Sequence, residues 1–361
     1  MKLLHEQVIG GVVIAGLVAI GLLVAEEPEM SKWLDGPFLS RTASRQLSSI
    51  TVSSVDWSAD GRTLLCQSRG GATALPTLSI HQVSERTGYI PAWCNALAGS
   101  ICHASLSPDG TSVVVATHAG ELWWVDLETW NATQLATQDH EFPILTTAIG
   151  HDGTLMAGGS GNGAVYLCHP IQSSTRTLSS GRQAPVVSLD FSANSQRLLC
   201  TRTDGSIALW DTFSGELLCE LAGDEGPTAA KLLVDGNRIL TSSNDDRIQI
   251  WDLVSRAVQW RGSHGSDRRH GVATMDVASS GDIAAWGGGM THRIIVWDLL
   301  NQQKKFEITN PSVVLHVSFS PDASSLAVAG REGIVRIYDM NLGTEVQTID
   351  VGRAVDGGHR I

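Results

Sequence analysis

The sequence predicts an all-β fold, a seven-bladed β-propeller of four-stranded antiparallel blades, preceded by one N-terminal transmembrane helix. Two repeats running in phase and one uninterrupted apolar run predict it. A turn signal of the Asp-Gly type follows an apolar strand at Asp60, Asp109, Asp152, Asn194, Asp235, Ser280 and Asp322, at intervals of 41 to 49 residues. A second marker ends an alternating strand further on, at Ile80-His81, Val125-Asp126, Cys168-His169, Trp210-Asp211, Trp251-Asp252, Trp297-Asp298 and Tyr338-Asp339. Both recur at about 43 residues, the length that four short strands and their turns occupy in one blade.

Composition agrees with this. At 361 residues and 42% hydrophobic content, the chain has ample material for a globular core. Eleven Trp and 37 Gly, against three Tyr and six Phe, suit many short strands joined by tight turns. The net charge of -12 repels a phosphate backbone, so no nucleic-acid partner is expected. The six cysteines, Cys66, Cys94, Cys102, Cys168, Cys200 and Cys219, show no Cys-x-x-Cys spacing, and several stand in apolar runs. They read as small core residues in preference to disulfides or metal ligands.

From Val8 to Ala25 no charge or strongly polar group interrupts the sequence, which predicts a single-pass membrane helix within residues 1–25. A cleaved signal peptide is the rival reading. Its apolar region is shorter, however, and a cut after Ala25 would put Leu23 where a small residue is preferred. Lys2 and the terminal amine on one side, against Lys32 on the other, favour a cytoplasmic N-terminus and an exported propeller. The lack of an evident disulfide framework argues the other way. Residues 26–44 then form a spacer, 45–351 the propeller and 352–361 a loose tail. For the outer strand that closes the ring, Thr344–Ile349 is preferred over Arg45–Ile50, because it follows Tyr338-Asp339 by an ordinary turn.

The repeats SIALWDTFSGELL, IQIWDLVSRAVQW, RIIVWDLLNQQKKF and VRIYDMNLGTEVQTI resemble the WD-repeat (WD40) β-propeller family, and the resemblance covers roughly Ser44 to Val351. Its repeat-signature positions are Trp210, Asp211, Trp251, Asp252, Trp297, Asp298, Tyr338 and Asp339. In the family a buried network joins the Trp to an Asp of the preceding turn, a His and a Ser or Thr; Asp204 and Asp245 match the Asp place, and Glu332 is its nearest substitute in the last repeat. The usual Gly-His is essentially absent, and Val125, Cys168 and Ile80 take the Trp place elsewhere. Blades 4 and 5 therefore read as the most regular, while blades 1 and 3 rely on apolar packing.

The chemistry of known active sites is missing from the sequence. Gly158-Gly159-Ser160-Gly161-Asn162-Gly163 fails the nucleophile-elbow spacing and reads as a plain turn. No amphipathic helix follows it to bind phosphate. Twelve His offer no pair at close ligand spacing on one element, so neither metal nor cofactor is expected. Asn131-Ala-Thr133 matches a glycosylation acceptor, relevant only in a eukaryotic secretory setting.

The unusual surface is the connection Arg261 to His270, with Arg261, His264, Asp267, Arg268, Arg269 and His270 as a candidate partner-binding loop. Three guanidinium forks in an acidic chain suit carboxylates or phosphates on a partner, although a solvated loop balancing local acid is the plainer reading. The resemblance places this loop on the ring's narrower face and implies a non-catalytic scaffold that binds other proteins; the apolar run at residues 8–25 is what would hold it to a membrane. It also implies that no single pocket dominates. Two alternatives stand beside it: an enzyme or small-ligand receptor using the central channel, and a structural subunit of an envelope assembly.

Overall fold

The computed structural model describes residues 50–69, 77–84, 87–90, 101–137, 142–222, 227–243, 245–263, 265, 272–288, 291–353 and 355–356. The expected membrane helix and spacer lie outside the described residues. Among the described residues no helix is long and apolar enough to cross a membrane.

Seven antiparallel sheets follow one another along the chain, each built from four consecutive strands. Their first strands are Thr51–Trp57, Ile101–Leu106, Ile144–Ile149, Val186–Phe191, Pro227–Leu232, Thr274–Val277 and Val314–Phe319. These seven stand side by side around a central channel, and the last packs against the first. The result is the expected seven-bladed propeller.

Apolar patterning explains the assembly. A middle strand of a blade is covered on both faces by neighbouring blades, so it reads as a continuous apolar run; Ser112–Thr117, SVVVAT, is buried along its whole length. The fourth strand lies at the rim and alternates, as in Ala257–Ser263, AVQWRGS. The core is accordingly divided into seven apolar seams, one between each pair of neighbouring blades. Leu65, Ile80, Leu106 and Val115 join blades 1 and 2, whereas Val52, Cys66, Ala327 and Ile337 join blades 7 and 1.

Both sequence markers are turn devices. In the first-to-second-strand turns, Ser107 donates to Asp109 Oδ1 at 2.6 Å and Thr111 N–H donates to the same oxygen at 3.0 Å. The equivalent Ser58/Asp60 and Ser320/Asp322 pairs also lie at 2.6 Å. In the third-to-fourth-strand turns the Asp of the second marker is the cap. Asp252 Oδ1 accepts from Val254 N–H at 3.1 Å and Ser255 N–H at 2.6 Å, and Asp298, Asp339 and Asp126 repeat the pattern. This explains a period carried by short polar residues within apolar strands.

The last blade is completed by Glu345–Asp350, paired with Ile334–Asp339, as preferred. Residues 352–361, expected to be loose, include a further short strand, Val355–Asp356. It pairs in parallel with Thr87–Ile90 at the outer edge of blade 1. Edge N–H and C=O groups that would otherwise face water are thereby paired across the closing seam.

The glycine-rich stretch Gly158–Gly163, read as a plain turn, is one only from Gly161 to Gly163; Gly158 to Ser160 end the buried strand Met156–Ser160, where neighbouring side chains leave no room for a Cβ on Gly159. Gly163 has φ of 89°, and a Cβ there would sit 2.3 Å from the Arg182 carbonyl oxygen of the next connection. Gly181 also has positive φ, at 78°, but open space around it. Gly163→Ala is therefore expected to cost about 2 kcal/mol or more in urea unfolding, from strain plus backbone collision, whereas Gly181→Ala costs about 1 kcal/mol from strain alone.

Candidate functional site: central channel and loop faces

The channel has a volume of about 990 Å³ and is lined by the first strands of all seven blades. One inward-facing position recurs around the ring as Asp56, Ser105, Ala148, Asp190, Lys231, Asp276 and Ser318. Two residues earlier the layer reads Ser54, His103, Thr146, Ser188, Ala229, Thr274 and His316. A ring of seven tilted blades leaves an axial opening that the inner side chains do not fill.

Elementary accounting explains the polar lining. A first strand pairs on one side only, so alternate N–H groups face the channel and need acceptors. The adjacent blade supplies them. Leu106 N–H donates to Asp56 Oδ2 at 2.9 Å, Leu232 N–H to Asp190 Oδ2 at 2.7 Å and Phe319 N–H to Asp276 Oδ2 at 2.8 Å. One layer away, Val317 N–H donates to Thr274 Oγ1 at 3.1 Å, Thr147 N–H to His103 Nδ1 at 3.3 Å and Val55 N–H to His316 Nδ1 at 3.5 Å. Each contact crosses from one blade to the next, so the channel side chains stitch the ring.

Charge compensation is uneven. Lys231 Nζ lies 3.3 Å from both Asp190 and Asp276. Burial works against its ammonium, yet the two carboxylates hold its pKa above the ordinary lysine value. Burial raises the Asp190 carboxyl in spite of Lys231. Asp56 makes no ion pair among the described residues, and burial pushes its carboxyl up to about 6 against the Leu106 N–H, the more distant Lys231 charge and the Trp57 N–H. Burial pushes His103 and His316 down to about 4, so both are neutral acceptors at pH 7.

The residues singled out in the sequence fall differently. Of the candidate loop, Arg261 is exposed on the fourth strand of blade 5, while His264, Asp267, Arg268, Arg269 and His270 lie outside the described residues. Asp204 sits 3.6 Å from Arg182 at the turn between the second and third strands of blade 4, and Asp245 holds Ser243 and Arg247 at the same place in blade 5. Trp251 Nε1 donates to Thr241 Oγ1 at 3.1 Å, but the matching bond in blade 4 is absent: Cys200 takes the threonine's place, leaving Trp210 Nε1 without a partner. Blade 4 is thus less regular than expected. Tyr338 instead donates to Asn310 Oδ1 at 2.9 Å.

Cys66, Cys168, Cys200 and Cys219 are free and buried, as read from the sequence. Burial pushes the Cys66 and Cys200 thiols up to about 12, which makes them inert packing groups. The channel acids and histidines were missed as a set. Their signal was available: Asp56 and Asp190 each stand two residues before the serine of a Ser-x-Asp or Ser-x-Asn turn, at a fixed place in the period.

Three stretches of the chain, residues 172–211, 215–252 and 302–339, match the family described as WD domain, G-beta repeat. The chain carries WD40 repeats in a seven-bladed β-propeller. Protein tipD of Dictyostelium discoideum is 28% identical over 156 residues, which is 42% of this chain and 23% of tipD, so the matched stretch spans under a quarter of that relative. COMPASS component SWD3 of Saccharomyces cerevisiae is 25% identical over 251 residues, 69% of this chain and 67% of that protein. An uncharacterized WD repeat-containing protein, sll1491 of Synechocystis, is 25% identical over 74% of this chain and 73% of its own. A chain in the crystal structure of a mitotic checkpoint complex superposes with a TM-score of 0.60 at 20% identity, covering 67% of this chain and 75% of that one, a likeness of fold.

Two outcomes follow from the channel. His103 and His316 are held below their unfolded pKa, so the stability they contribute is present above pH 6.5 and is lost as pH falls toward 4. Asp56 is raised, so its contribution has the opposite sign: full below pH 3.8 and lost as pH rises through about 6. Melting curves between pH 7.5 and 4 should therefore flatten for His316→Asn and steepen for Asp56→Asn. Lys231→Met should cost about 2–4 kcal/mol in urea unfolding, by leaving two carboxylates uncompensated around a side chain still partly solvated. Adding Asp190→Asn and Asp276→Asn should restore most of that loss.

Proposed function

We propose that the chain is a non-catalytic protein-interaction scaffold, anchored to a membrane by the apolar run at residues 8–25. One observation carries the scaffold reading: the ionisable groups of the channel are spent on joining blades, so the turns and connections of the two faces are the surface left for recognition. Among the described residues no group of three or more His, Cys, Asp or Glu is placed to hold a metal ion. The WD-repeat relatives add support, since SWD3 is a component of a complex by its description. The apolar run supports the anchor, with the propeller on the exported side.

A second reading has an observation of its own. Asp56, without an ion pair among the described residues and in a channel of about 990 Å³, suits a small-ligand receptor. Crosslinking pull-down of the full-length protein from membranes separates the two. It is compared with a variant lacking residues 1–25 and with Arg261, Arg268 and Arg269 replaced by Ala. Specific partners lost in the arginine variant are expected, and loss of membrane recovery on deleting residues 1–25 would support the anchor. A clean preparation without partners would overturn the scaffold reading in favour of the channel.

A further inference from the structure

The turns between third and fourth strands share a backbone and differ in what they hold out to solvent. Six of them place a left-handed residue at the same position: Trp130, Ser173, Gly215, Arg256, Gln302 and Gly343. In blades 3 to 6 the residue two places earlier is Ile171, Phe213, Val254 and Leu300; in blade 7 it is Asn341, with Leu342 one place further on. These five apolar side chains are 74% to 92% exposed. Blade 2 carries Glu128 there. The turns themselves are set by the capping Asp, or by His169 in blade 3, and the left-handed residue, so nothing in their geometry calls for a large apolar tip. Five in succession form an arc on one face of the ring, of the kind that marks an interaction surface.

The surroundings indicate what covers it. In blades 4 to 7 each tip stands two or three residues from a capping carboxylate, Asp211, Asp252, Asp298 or Asp339. Backbone N–H groups of the turns hold Asp211, Asp252 and Asp298 below the ordinary carboxylate range, so these stay ionised. Asp235 and Asp322 add charge from the first-to-second-strand turns, which emerge on the same face. Several cations of this face are engaged, Arg238 with Asp235, Lys304 with Glu307, Arg197 with the Gly236 carbonyl and Arg176 with the Phe213 carbonyl, while Arg256 in the blade 5 turn is exposed and Lys305 acts on Asp298. The surface is apolar tips set among six aspartates, with Arg256 and Lys305 as the intervening cations.

Direction adds a further constraint. The chain enters the ring at Ile50, beside Gly333 in a second-to-third-strand turn, and so on the opposite face. The tips point away from the point where the N-terminal run joins the propeller. The carboxylates disfavour an anionic lipid surface and favour a protein.

We propose that the turn face of blades 3 to 7 docks a protein segment in which apolar and basic side chains alternate. This rests on the scaffold reading and adds to it a turn face, to which Arg261 at the far end of its strand does not belong, and a partner chemistry.

The test uses the full-length chain held in nanodiscs and three synthetic amphipathic peptides: Leu/Lys, Leu/Glu with the same Leu positions, and Ser/Lys with the same Lys positions. The Leu/Lys peptide should bind at least about tenfold more tightly than either control. Phe213→Ser/Val254→Ser/Leu300→Ser should weaken it about tenfold or more, with the melting transition unchanged because the three side chains lie outside the core. Should that variant melt lower, Phe213→Ser alone decides, by a smaller loss in the same direction. Equal binding by wild type and variant would overturn the proposal. So would tip-dependent co-flotation with added phosphatidylcholine or phosphatidylserine vesicles, which would assign the face to a membrane. Arg261→Ala should leave peptide binding intact, so failure of the arginine pull-down and failure of this face are separate results.

Discussion

Every blade of this protein is apolar on both sides, and that forces the ring. A single four-stranded sheet of this composition would leave two apolar faces in water; each neighbour covers one, and only closure covers the last. The seam between blades 7 and 1, with Val52, Cys66, Ala327 and Ile337, is therefore as necessary as the six between consecutive blades. The short strand Val355–Asp356, crossing to blade 1, reinforces the place where chain connectivity is lacking.

Closure creates a second problem at the axis, where seven strands present unpaired edges. Water could satisfy them, but side chains from adjacent blades do so with fixed geometry, and carboxylates do it with charge-assisted bonds. The cost is burial of ionisable groups. Lys231 between Asp190 and Asp276 offsets part of it, while Asp56, held by two backbone N–H groups, has no ion pair among the described residues. A channel rich in titratable groups is thus a consequence of building a ring and does not by itself indicate catalysis, although it leaves a polar cavity open to a ligand.

The family's buried polar network survives in one blade as the bond from Trp251 to Thr241. Elsewhere Cys200 stands in the threonine's place and Tyr338 turns to Asn310, without loss of blade geometry. Apolar seams and capped turns carry the architecture, so the network is dispensable blade by blade. That freedom extends to the turn tips, where sequence can vary with no penalty to folding and surface chemistry becomes available for recognition.

The sequence by itself determined the number of blades, the strand order and the turn positions, because those depend on local signals. Asp-Gly and Trp-Asp dipeptides cap turns within a few residues, and alternation or continuity of apolar residues reports how many faces of a strand are covered. It also favoured the C-terminal segment Thr344–Ile349 for completing blade 7, because a short turn brings it back, and the structure pairs Glu345–Asp350 there. Only the tertiary structure decided which polar residues converge. Asp190, Lys231 and Asp276 are separated by about 40 residues each and meet only once the ring brings three first strands together. The same holds for the orphaned Trp210 and for the arc from Ile171 to Leu342, whose common face follows from blade stacking. Local chemistry is written in short spacings, whereas a surface assembled from successive blades exists only after the ring has closed.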